Sequence, residues 1–278
     1  MKKLALESPA CIYVEKSFKE WLDIQGYAAS TVYQLPNHIR EYFNWLEKKG
    51  TTEISQIKIS SIEQYYEQLK DRPNQRKSGG LSSSYLNKQR VALIKLLDYL
   101  RQRGRLEIAV PGIKSEKAEE KEIDYLTSRE IEDLYSLTYW HQDNARQERL
   151  NSRDRAILSV FYGCGLRRNE GYHLNLSDIN FDTRLLHVRK GKNYRERKVP
   201  FNKTTGEYLQ DYSYNGRMHL LKQAGEEAFF ISKRGVRMDA QSIALRLKII
   251  QSRSDREELK NKNIHLHLLR HSICLLYT

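Results

Sequence analysis

The apolar run Ala156-Ile-Leu-Ser-Val-Phe161 is cut short by two glycines, Gly163 and Gly165, and Arg167 follows at once. A run of that kind reads as a buried helix. Glycines directly after it allow a sharp turn and a close backbone approach. A second helix must then begin, with Arg167 in its first turn. Glu170 lies three residues on, on the same face, within reach of the guanidinium. The chain is therefore built around a helix–turn–helix joint packed in a core, with an arginine set by glycines and buttressed by a carboxylate. Two readings stay open at this point: a positioned functional arginine, or a joint with a surface Arg–Glu pair.

At 278 residues the chain has room for two domains. It carries 48 Lys and Arg against 35 Asp and Glu, a net +13. The excess is not confined to a tail: residues 1–104 hold 17 basic and 11 acidic side chains, leaving 31 and 24 for the rest. Two basic segments suit a clamp on a polyanion. Cys11, Cys164 and Cys274 are widely spaced, with no CxxC pair, which supports neither a disulfide framework nor a zinc site. No apolar run reaches the roughly 18 residues of a membrane span, and the start lacks an apolar signal core. The expectation is a cytoplasmic protein with no membrane partner.

Residues 1–11 read as a loose leader. Val14, Phe18, Trp21 and Leu22 have helical spacing, stopped at Gly26. Ser30-Thr31 can cap a second helix through Val32, Leu35, Ile39, Phe43 and Leu46, in which Pro36 marks a kink or the true first turn. A third helix starts at Ser60 or Ser61. After the Gly/Ser/Lys-rich loop Pro73–Ser84, a fourth repeats Leu86, Leu93, Leu97 and Leu100 and ends at Gly104. Four amphipathic helices make a small all-α domain over 1–104. Lys88, Arg90 and Lys95 on its last helix are candidate contacts for a polyanion, the duplex DNA that the resemblance given below implies.

Residues 105–124, with Pro111, Gly112 and a mixed-charge run, read as a linker. A second domain, 125–278, opens on the capping box Thr127…Glu130. Helices through Leu134–Tyr139 and Arg153–Tyr162 lead into the glycine turn. The period then changes: Leu186 and Val188 alternate with Leu185, His187 and Arg189, and Arg195–Val199 alternates again, around the turn Lys190-Gly-Lys-Asn-Tyr194. That is a β-hairpin with Lys192 at its tip. Phe229-Phe-Ile231 is a further strand candidate, Ala240–Ile250 is helical, and His265–His271 begins an apolar helix. The fold class is mainly α, with a four-helix domain first and a mostly α second domain holding a small antiparallel sheet.

Arg167, Lys192, His267 and Arg270 are the candidate catalytic set. His267 and Arg270, at i and i+3, share a helix face and can grip one ligand. Two arginines, a lysine and a histidine suit a pentavalent phosphoryl group, where catalysis is positioning, charge stabilisation and a proton for the leaving oxygen. Lys192 can supply that proton. No Walker loop, GxGxxG, HExxH or GxSxG is present, and the acidic residues do not cluster as a metal nuclease requires.

The blocks Gly163-Cys-Gly-Leu-Arg-Arg-Asn-Glu170, Gly191-Lys192…Arg195-Glu-Arg-Lys-Val-Pro200 and His267-Leu-Leu-Arg-His271, in that order, resemble the phage-integrase family of tyrosine recombinases. The resemblance covers nearly the whole chain. It implies a core-binding domain followed by a catalytic domain, closing as a clamp on duplex DNA. It also implies strand cleavage through a 3′-phosphotyrosine link, with no metal and no other cofactor. By position, Arg167 and Arg270 resemble the two catalytic arginines, Lys192 the hairpin lysine, His267 the first histidine of the HxxR box, and Glu170 the supporting carboxylate. The nucleophile has no match. Tyr277 is the only tyrosine after Arg270 and falls on the helix carrying HxxR, so the chain reads as truncated before the attacking tyrosine. The expectation is a site-specific recombinase or integrase of a mobile element, cleavage-inactive as this chain. Self-association on DNA is expected if the missing segment is restored. The alternative is a non-catalytic DNA-binding remnant that blocks the sites of an intact recombinase. A basic RNA-binding regulator fits less well, since it leaves Arg167 unexplained.

Overall fold

The computed structural model describes residues 4–75, 78–104, 112–117, 124–140, 144–189 and 196–276. The chain divides into two compact units, Met1–Lys121 and Glu122–Thr278.

Four helices build the first unit: α1 (Pro9–Ile24), α2 (Ala29–Lys48), α3 (Ile59–Asp71) and α4 (Ser83–Gln102). The helix α1 begins earlier than its apolar pattern. Ser8 caps it by accepting from the Cys11 N–H at 3.2 Å, and Pro9 fills a first-turn position that needs no donor. From Leu4 on, the expected loose leader is held by side chains. Arg40 donates to the Leu4 carbonyl at 2.9 Å, Asn44 to that of Ala5 at 2.8 Å, and the Ser8 N–H to Glu47 at 2.9 Å. Backbone satisfied by side chains gave no apolar signal to read. The expected Ser30-Thr31 cap is not used, because α2 starts a few residues earlier behind Ala28 without a side-chain cap, and Pro36 lies buried inside the helix. Val14, Phe18 and Leu22 meet Ile39, Phe43, Ile62, Tyr66, Leu93, Leu97 and Leu100 in one core. The expected linker is also partly structured. Ile113 packs on this core, its carbonyl accepts from Arg90 Nε at 2.7 Å, and the Asn87 amide brackets the Glu116 backbone with two 2.9 Å bonds.

In the second unit α5 (Ser128–Ser136) opens on the expected capping box. The Thr127 N–H donates to Glu130 at 2.8 Å and the Glu130 N–H returns to Thr127 Oγ1 at 3.2 Å. Helix α6 (Ala145–Leu158) starts well before Arg153, capped by Asn144, and widens into a π turn over Ser159–Gly163. At Gly165 φ is +57°, and at Gly163 a Cβ would collide with the Thr205 side chain, so the joint needs both glycines. Helix α7 (Arg168–Tyr172) follows.

Strands β1 (Ile179–Asn180), β2 (Leu185–Val188) and β3 (Arg197–Pro200) form an antiparallel sheet in that order, with Leu186 opposite Val199 and Val188 opposite Arg197. Leu186 and Val188 face the core, as the alternation requires. The hairpin tip with Lys192 lies outside the described residues. Helices α8 (Lys203–Asp211) and α9 (Met218–Leu220), which the sequence pattern did not mark, are joined through a second π segment, Tyr212–Arg217.

Phe229–Ile231 is buried but is not a strand. Its backbone is spent singly: the Phe229 N–H on the Leu174 carbonyl, the Phe230 carbonyl on the Met238 N–H, and the Ile231 N–H on the Tyr212 hydroxyl. Ile231 makes an isolated antiparallel bridge with Arg237, and the pairing does not extend into a ladder. Helices α10 (Ala240–Ser252), α11 (Glu257–Asn261) and α12 (Leu266–Leu276) complete the unit. Its own core joins Leu134, Ile157, Phe161, Leu186, Phe229, Leu247 and Leu269. Among the described residues no helix is long and apolar enough to cross a membrane.

Candidate active site

Glu170 is the centre of the site. Its side chain is 2% exposed, at the third position of α7, where the glycine joint has turned the chain inward. Arg167 sits at the N-cap of α7 and not inside its first turn, a correction of one residue with a chemical consequence. From that position its backbone N–H donates to Glu170 Oε2 at 2.8 Å while Nη1 donates to Oε1 at 2.9 Å. Arg197 adds a two-pronged contact, Nη1 to Oε1 at 2.9 Å and Nη2 to Oε2 at 2.8 Å. Burial works against ionising Glu170, but the bonds from Arg197 and from the Arg167 backbone and side chain outweigh it and hold the carboxyl at about 2. A fixed anion therefore organises the surrounding cations.

Helix α12 supplies the third guanidinium. Leu266, Leu268 and Leu269 are buried, and Ser272 fixes the helix by accepting from the Leu126 N–H and donating to the Leu268 carbonyl, both at 2.8 Å. Arg270, one residue past that apolar face, donates through Nη1 to the Gly165 carbonyl inside the joint, and the same nitrogen stands 3.9 Å from Glu170 Oε2. The glycine turn thus aims two arginines at once, one by its cap and one by its carbonyl. His267 lies on the exposed side of α12, its ring 4.3 Å from that of His271. Partial burial, the neighbouring His271 and His265, and Arg270 and Arg167 all push its pKa down. The imidazole is then neutral near pH 7 and able to donate or accept.

The structure brings together Arg167, Glu170, Arg270 and, by its helix face, His267. Lys192 cannot be placed, since it falls outside the described residues. Arg197 was missed as an individual residue. The available signal was its register: in an alternating strand it shares the covered face with Val199, and a charge on that face needs a partner. In the first unit, Lys88 is exposed, Arg90 is engaged with the Ile113 carbonyl, and Lys95 pairs with Asp98 at 3.3 Å and lies over the Tyr27 ring. Among the described residues no group of three or more His, Cys, Asp or Glu side chains could hold a metal ion. Burial pushes the Cys164 thiol up to about 12, so it is no nucleophile at neutral pH.

A basic helical unit, followed by a mostly α unit whose three arginines converge on one carboxylate, defines a class. The family model described as "Phage integrase family" matches residues 124–277. The chain belongs to that family, and its fold is that of the tyrosine recombinases. Tyrosine recombinase XerC of Mannheimia succiniciproducens is 30% identical over 199 residues, 71% of this chain and 62% of that protein. XerC of Oceanobacillus iheyensis is 26% identical over 270 residues, 94% of this chain and 81% of that protein. The chain thus spans less than two thirds of the first relative's length and about four fifths of the second's. Among solved structures, the Tn1549 transposon integrase in complex with transposon right end DNA superposes with a TM-score of 0.67 at 17% identity, covering 94% of this chain and 85% of that one. The XerH recombinase bound to a palindromic difH substrate has the same TM-score at 18% identity, covering 96% and 73%.

Proposed function

We propose that this protein is a site-specific DNA recombinase or integrase, in which Arg167, Arg270 and His267 grip one backbone phosphate of duplex DNA. The observation that carries the reading is the charge count at Glu170: three guanidinium groups against one buried carboxylate leave an excess positive charge facing outward. An arrangement fixed before the ligand arrives stabilises developing negative charge without reorganising. Lys192, on the hairpin leading into β3, is assigned the proton for the leaving oxygen. The first unit is assigned a share of the duplex backbone, through Lys88 foremost. The relatives named as recombinases and the integrase bound to transposon DNA support the substrate class. The wide spacing of Cys11, Cys164 and Cys274, with no CxxC pair, supports a reducing, cytoplasmic setting.

The nucleophile is assigned to no residue from 1 to 276. Tyr277 follows α12 directly in the sequence, too close behind Arg270 to match the family's attacking tyrosine. The test is a nicked suicide duplex incubated with these 278 residues and with Tyr277→Phe, resolved on a denaturing gel. The expected result is duplex binding without a covalent adduct in either case. An adduct lost in Tyr277→Phe would make Tyr277 the nucleophile. An adduct present in both would overturn the assigned mechanism. Failure to bind duplex DNA at low salt would remove the function itself.

A further inference from the structure

We propose that Arg197 is a positioning residue of the phosphate site: it fastens the base of the β2–β3 hairpin to Glu170 and, through Glu170, fixes the Arg167 guanidinium and keeps Arg270 free for the ligand. This rests on the phosphate-binding reading above. A carboxylate has about four acceptor positions. Here all four are taken, two by Arg167 through its N–H and Nη1, and two by Arg197 through Nη1 and Nη2. Arg270 Nη1 therefore stops at 3.9 Å from Glu170 and turns to the Gly165 carbonyl. With Arg197 gone, two acceptor positions open on a buried carboxylate. Among the described residues the cation that stands ready to fill them is Arg270, 3.9 Å from Glu170, which would fold onto it and leave the ligand. Arg197 also opens β3 opposite Val188, at the point where the hairpin that carries Lys192 rejoins the sheet. The hairpin base and Arg167 are thereby held to one anchor.

Charge alone does not do this. A lysine at 197 keeps the positive charge but places one ammonium where a planar fork spanned both oxygens. Arg197→Lys therefore separates positioning from simple attraction.

The experiment titrates the full 278-residue chain with inorganic phosphate and follows the ring signals of His267 by ¹⁵N NMR, in the wild type, Arg197→Lys, Arg167→Ala and Glu170→Gln with and without Arg197→Lys. We expect Arg197→Lys to weaken phosphate roughly tenfold, the worth of one charged hydrogen bond, with little change in thermal midpoint. In the Glu170→Gln background it should add no further loss, since its route through Glu170 is already cut. Wild-type affinity in Arg197→Lys, alongside a weakened Arg167→Ala, would overturn the positioning role. An additive loss in the Glu170→Gln background would mean that Arg197 touches the phosphate itself. Unchanged binding in Arg167→Ala would instead bring down the phosphate-site reading. A second measurement needs no variant: a guanidinium clamped by Glu170 rotates slowly, so Arg167 in the wild type should show separate Nη signals on cooling. One averaged signal would also overturn the proposal.

Discussion

At the scale of residues, Glu170 makes the site sensitive to acid. Its carboxyl is held at about 2 in the fold against an ordinary value of 4.5. A depressed acid contributes stability above the unfolded value and loses it as pH falls through the folded one. The contribution at neutral pH is at most about 3 kcal/mol. Urea midpoints taken between pH 5 and 2 should therefore fall more steeply in the wild type than in Glu170→Gln; equal slopes would contradict the buried ionised carboxylate. His267 predicts a second pH effect, of opposite use. Its pKa is lowered, so it charges only as pH drops below the ordinary 6.5, and a bound anion favours the charged form. Sulfate, whose own charge is constant in that range, should bind more tightly at pH 5.5 than at pH 8. His267→Ala should flatten that profile, and an unaltered profile would take the effect away from His267.

At the scale of elements, the joint between α6 and α7 is where small changes should cost most. Gly165 has a left-handed φ of +57°, and an added Cβ would also press on Ile273 at 3.3 Å. Gly165→Ala should cost about 1–2 kcal/mol from the backbone alone. Gly163→Ala drives a methyl into Thr205, which is buried, and should cost about 1–3 kcal/mol by overpacking. Because the Gly165 carbonyl accepts from Arg270 and α7 presents Arg167, both variants should also weaken sulfate binding. Differential scanning calorimetry beside the sulfate titration checks the pair. A destabilised variant with intact sulfate binding would show that the joint supports the fold without aiming the arginines.

At the scale of the molecule, two units with separate cores each carry excess positive charge. Neutralising phosphates releases counterions, so duplex affinity should fall steeply and linearly in log–log form with salt. A protein making several phosphate contacts loses on the order of a thousandfold between 50 and 200 mM salt. An affinity nearly indifferent to salt would argue against binding through the DNA backbone phosphates. Removing residues 1–104 should weaken duplex binding sharply, and an unchanged affinity of the remainder would assign the whole interface to the second unit.

The sequence by itself determined the parts that local chemistry controls. Helical spacing marked α1 to α4 because an amphipathic face repeats in the chain itself. Two glycines marked the joint, Gly165 for its left-handed backbone and Gly163 for a close approach, and period-two alternation marked β2 and β3. Arg167, Glu170, His267 and Arg270 were legible as a group from their blocks in order. The tertiary structure decided what depends on partners distant in the chain. Side chains of α2 hold the leader backbone, and Asn87 holds part of the expected linker. Phe229–Ile231 stops at an isolated bridge of Ile231 with Arg237, because the Phe229 and Ile231 N–H groups go to the Leu174 carbonyl and the Tyr212 hydroxyl. Arg197 acquired its place from a carboxylate 27 residues away. A charge on the covered face of a strand announces that it needs a counterpart, but which carboxylate answers is settled only when the sheet docks against α7.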